Sequence, residues 1–72
     1  MSGLIIAQIE KAREASSKIK IVVEGYEGDN FVHYGWVRDN DTEFVIIDLE
    51  NKNRTATIKI STIKEVVVYN ED

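Results

Sequence analysis

The chain contains no cysteine and no proline, and only one histidine, one tryptophan and one methionine. Without cysteine there is no disulfide and no thiolate to hold zinc, and a single histidine cannot build a multi-imidazole metal site. The cysteine nucleophile goes with it, and no serine stands in a nucleophile-elbow setting. A cysteine-free chain is easiest to reconcile with an intracellular, cytoplasmic protein. Long apolar runs are missing as well. The stretch "GLIIA" and the later "FVII" and "VVV" fall far short of the roughly 20 residues a membrane-spanning helix needs. The N-terminus also lacks the basic region of a secretory signal. Neither signal peptide nor membrane segment is expected. Basic charge is scarce: nine Lys and Arg face thirteen Asp and Glu, for a net charge of −4. Polyanion-binding proteins usually carry a basic excess, so any nucleic-acid or nucleotide contact is disfavoured and would have to be local.

What is present is a globular composition, 43% hydrophobic in 72 residues. That is one domain over residues 1–72, at a size where a single core is barely sufficient. Chains this short and without staples often gain stability by self-association.

Ile5, Ile9, Ala12 and Ser16 recur at helical spacing, with Glu10, Lys11, Arg13 and Glu14 on the other side. This predicts an amphipathic helix over about 3–16, with Ser2 as its N-cap and Ser16-Ser17 at its end. The period then changes to two. "KIKIVVEGY" sets Ile19, Ile21 and Val23 against Lys18, Lys20 and Glu24, and "EGDN" is a turn signal. "FVHYGWVRD" predicts a second strand. "EFVIIDLE", apolar on both faces, predicts a third and the best candidate for a central strand. "DND" and "NKN" flank it as turns. "RTATIKI" alternates with Ala56, Ile58 and Ile60 inward, "STIK" is a tight turn, "EVVVY" a last strand, and "NED" a frayed tail. Gly35, inside the second strand, marks a bend or close approach, with Gly28 in the preceding turn. The expected object is mainly β: a helix followed by five short strands over about 18–69, curled into a small barrel.

This order of elements resembles the Sm-like family, in particular its Hfq-like branch, where an N-terminal helix precedes five bent strands. Gly35 in "YGWVRDND" is similar to that family's strand-two glycine. "DTEFVII" resembles its aspartate and apolar run, and Ile60-Ser61-Thr62-Ile63 its isoleucine-serine-threonine turn. The stretch "VVEGYEGDNFVHYGWV" is equally similar to the YolD-like family of small bacterial and phage proteins. The resemblances imply an SH3-like or Sm-like barrel that pairs its edges into rings, as an RNA-binding or accessory protein. The lysine–histidine pair through which Hfq-like proteins hold RNA corresponds here to Thr57 and Ile58, so that ligand is not implied.

The candidate surfaces follow from strand alternation. Phe31, His33, Gly35 and Val37 point one way, Tyr34, Trp36 and Arg38 the other. With Val37 facing the core, as the family resemblance implies, an aromatic and basic row is left outside. It suits a protein interface or packing beneath the helix, and secondarily the stacking of nucleobases. His33, with no partner for catalysis or ligation, is expected to be inward or turn-adjacent and hydrogen-bonded. At a subunit contact it would be sensitive to pH.

"DNDTE" matches the acidic positions of a calcium loop, but Phe44 stands where the loop needs glycine. A solvated turn is the expected reading, with no metal or cofactor. Lys59, with Lys18 and Lys20, is a candidate for the rim of a ring. Thr57 and Ile58 on one strand, and Val66, Val67 and Val68 on another, are the expected self-association edges. The reading as a whole is a non-enzymatic binding module forming a homo-oligomer or receiving a strand from another protein. The alternatives are RNA, single-stranded DNA or small-nucleotide binding, or a phage-type inhibitor.

Overall fold

In a computed structural model, residues 2–50 and 53–69 are described. Helix α1 runs over Ser2–Ala15. Five strands follow: β1 Lys18–Glu24, β2 Asn30–Asn40, β3 Phe44–Leu49, β4 Thr55–Lys59 and β5 Ile63–Tyr69. All neighbours are antiparallel, in the order β4-β3-β2-β1-β5.

The helix forms because Ile9 and Ala12, one turn apart, are both fully buried, with Ile5 and Ile6 packed beside them. It ends at Ser16, whose φ of 54° is left-handed. Ser17 N–H donates to Ala12 O at 3.0 Å and Ser16 N–H to Arg13 O at 3.2 Å. These two bonds make the paired closure usually built on glycine. Arg13 in the last turn complements the helix dipole. Ser2, expected as the cap, is the first helical residue, and its side chain lies outside the described set.

The inner face of the sheet carries Ile19 and Ile21 of β1, Val45 and Ile47 of β3, Ile58 of β4, and Ile63 and Val66 of β5. Together with Ile9, Ala12 and Ile60 they form one core between helix and sheet. β1 and β4 alternate as the sequence predicts, while β5 breaks alternation at Lys64-Glu65, where its register with β1 shifts. β3 is an inner strand, paired with β2 on one side and β4 on the other as expected, but the expectation that both its faces are buried is corrected. Phe44 of β3 is exposed and Ile46 only half-buried. Apolar residues on both faces therefore did not mean burial on both faces.

Other boundaries shift slightly. β1 stops at Glu24, and Tyr26–Gly28 form a tight turn with left-handed Glu27 and Gly28 (φ 58° and 81°). β2 extends to Asn40, and β5 starts at Ile63 rather than at Glu65. Asn51 and Lys52 of "NKN", and the tail 70–72, lie outside the described residues.

The two sheet edges, β4 and β5, are joined by a single 3-10 turn, Ile60–Thr62. In a flat five-stranded sheet they would stand roughly 19 Å apart. The four Cα steps from Lys59 to Ile63 reach at most about 14 Å even if fully extended. The sheet must curl. Register shifts at Val22/Val23 and Val37/Asp39 supply local bends. At Gly35 the Asp48 carbonyl approaches so closely that a β-carbon would collide with it. β4 and β5 are not paired with each other, so the sheet remains open.

Candidate interaction surfaces

The curl leaves an outer face opposite the helix. In register across it run Tyr69 of β5, Lys18 of β1, Trp36 of β2, Asp48 of β3 and Thr55 of β4. Tyr34, Trp36 and Arg38 all stand exposed on this face, so the packing-beneath-the-helix option is corrected. Helix α1 buries the other side, and Trp36 keeps 39% of its surface.

Ion pairs order the polar groups there. Arg38 Nε donates to Asp48 Oδ1 at 3.0 Å. Lys18 Nζ donates to Glu50 Oε2 at 2.5 Å and lies 5.9 Å from the Tyr34 ring centroid. The hydrogen bond to Glu50, with the nearby Glu50 charge, holds the Lys18 ammonium above its usual pKa. Beside these pairs an open groove of about 590 Å³ is lined by Trp36, Arg38, Asp48, Asn53, Arg54 and Thr55. Arg54 and Asp48 were not singled out from the sequence. Counting register back from the β3–β4 turn sets Asp48 opposite Thr55, but its place beside Trp36 follows from the β2–β3 register, which shifts at a bulge.

His33 lies on the inner face opposite Ile21, half-buried. Among the described residues no hydrogen bond reaches its side chain, which corrects the expected hydrogen-bonded histidine. Two of the three carboxylates of "DNDTE" are engaged within the molecule, Asp39 by the helix and Asp41 within its own turn. Asp39 Oδ1 accepts from Arg13 Nη1 at 3.2 Å. Asp41 Oδ1 accepts from Glu43 N–H at 2.7 Å and Phe44 N–H at 2.8 Å. Those two backbone donors hold the Asp41 carboxyl below the usual carboxylate range, Phe44 contributing most. The arrangement turns the chain from β2 into β3.

The edge residues fall on β4 and β5. Leu49 N–H donates to Arg54 O, which fixes the alternation of backbone groups along β3 and β4. Ile58 therefore directs its N–H and C=O to Val45, its register partner, and Thr57 and Lys59 direct theirs outward. By the same alternation on β5, Val66 and Val68 present free backbone groups while Val67 pairs with Lys20. The Lys59 side chain is exposed beside Phe44. Two strands, β3 and β2, lie between it and Lys18 and Lys20 of β1.

No protein-family model and no curated protein matches this chain.

Proposed function

We propose that the chain is a non-enzymatic, cytoplasmic binding module that assembles with copies of itself and acts through protein contacts, in the manner of an Sm-like barrel or a YolD-like accessory protein. One observation carries this reading: the free edges are β4 and β5, at opposite ends of one curled sheet. Pairing β4 of one copy with β5 of the next uses both outer edges of the sheet. Such a contact is head-to-tail, and it closes into a ring when the rotation between copies divides a full turn. Val66 and Val68 on one edge and Thr57 on the other offer backbone groups for it with no proline to deter pairing, and the bulge of β5 falls at Lys64, before this stretch. Curling by way of Gly35 and the Ile60–Thr62 turn supports the Sm-like form of the fold.

Sedimentation velocity over a wide concentration range tests the proposal. A single discrete species heavier than the 8.2 kDa chain is expected; a monomer at every concentration overturns it.

The groove favours a second reading, local binding of RNA, single-stranded DNA or a nucleotide. Trp36 offers a stacking surface and Arg38 and Arg54 stand beside it. Titration of a labelled oligonucleotide at low salt decides it. Binding with a steep salt slope is expected on this reading, and no binding at low salt removes it.

A further inference from the structure

The β1–β2 hairpin projects beyond the rest of the sheet. β1 pairs with β2 up to Glu24↔Asn30, whereas the β2–β3 register begins only at Gly35↔Leu49. One more bond, from Glu50 N–H to Tyr34 O at 3.0 Å, closes that side. Because backbone groups alternate along a strand, a Tyr34 carbonyl aimed at β3 means that Asn30 and Val32 aim theirs the same way. Among the described residues nothing pairs with them there. Among the described residues a third edge thus opens halfway along the central strand.

Its side chains are unlike those of the other two edges. "NFVHY", Asn30–Tyr34, has no formally charged residue at neutral pH and no proline, the devices that usually guard an edge. Phe31 is 55% exposed on the inner side, and Val32 45% and Tyr34 42% on the outer side. Tyr26, in the adjoining turn, is 92% exposed. Four of the eight large hydrophobic residues that the described chain exposes therefore fall within nine positions. Around them stand Glu24, Glu27 and Asp29, all exposed, against one base, Lys64, whose Nζ donates to Asn30 Oδ1 at 3.4 Å.

We infer that this half-edge of β2 receives an extended segment of a partner protein as an added strand, and that the segment is basic where it passes the hairpin turn. Main-chain bonds to Asn30 and Val32 supply affinity. Phe31 on one face and Val32 and Tyr34 on the other grip alternate side chains of the incoming strand. The three carboxylates select Lys or Arg at its end over an acidic residue. This surface is separate from the β4 and β5 edges, so it does not depend on self-association.

The test selects peptides from a displayed random library on the intact wild-type protein and measures the enriched peptides against two variants. Val32→Pro removes the outward N–H while leaving the ladder to β1, whose bonds come from Phe31 and His33. Val32→Lys keeps the N–H but guards the edge, and serves if the proline variant fails to fold by circular dichroism. Enriched peptides of alternating apolar character with a basic end are expected. Their binding should weaken by about tenfold or more in either folded variant and fall when Glu27 and Asp29 are both changed to lysine. No enrichment, or peptides that bind the variants as tightly as wild type, overturns the inference.

Discussion

The carbonyl oxygen of Asp48 occupies the space a β-carbon on Gly35 would need. Ile47 crowds the same position from the side. The obstacle is backbone of β3 rather than a movable side chain, so the two strands cannot separate locally to make room. Gly35→Ala is expected to lower stability by about 1–3 kcal/mol, the usual cost of overpacking. Chemical denaturation followed by Trp36 fluorescence measures it, and an unchanged midpoint would mean that β3 does not lie over β2 in this way.

Ser16 closes the helix in a left-handed conformation that glycine adopts without cost. Ser16→Gly should therefore raise stability, by about 1 kcal/mol at most. The same denaturation experiment reads it. Loss of stability would show that the serine side chain supports a contact worth more than the strain.

Ile9 anchors α1 and is fully buried against the sheet. Ile9→Ala removes its methylene and methyl groups and leaves a cavity, at a cost of about 2–5 kcal/mol. That is comparable with the whole stability of so short a domain. Circular dichroism should report substantial loss of both helix and strand signal, because helix and sheet share one core. A variant that loses only helical signal would show that the sheet stands alone.

Much of this arrangement is legible in the residues. The spacing of Ile5, Ile9 and Ala12 gives the helix its buried stripe, and the alternation in "KIKIV" gives β1 its inner face. Gly35 announces a close approach. The burial of β3 is not legible, because Phe44 and Ile46 look like core residues and lie on a face that nothing among the described residues covers. Local pattern records that a residue is apolar; which sheet face the helix covers is a tertiary fact. The Arg13–Asp39 pair bridges 26 positions of sequence, and no short-range signal announces it. The Trp36 groove likewise depends on which strands become neighbours.

Asp41 titrates with the fold. Its carboxyl is held below the ordinary range by the Phe44 and Glu43 amides. Its contribution is therefore complete above the unfolded-state pKa, near 3.8, and is lost as pH falls through the lower folded value. Asp41→Asn keeps an oxygen for the two amides and removes the charge. The variant should be less stable than wild type at neutral pH, and the gap should narrow on acidification below about pH 4. A gap that stays constant with pH would assign the effect to something other than ionisation.

The account turns on the two free edges of the curled sheet, and the decisive measurement is the mass of the protein in solution by light scattering, for wild type and for Thr57→Pro. Thr57 directs its N–H away from β3, so proline there spares the internal ladder and blocks only an added strand. The prediction is a discrete multiple of 8.2 kDa for wild type and a folded monomer for the variant. Equal masses for the two proteins, or a wild-type monomer, would contradict it.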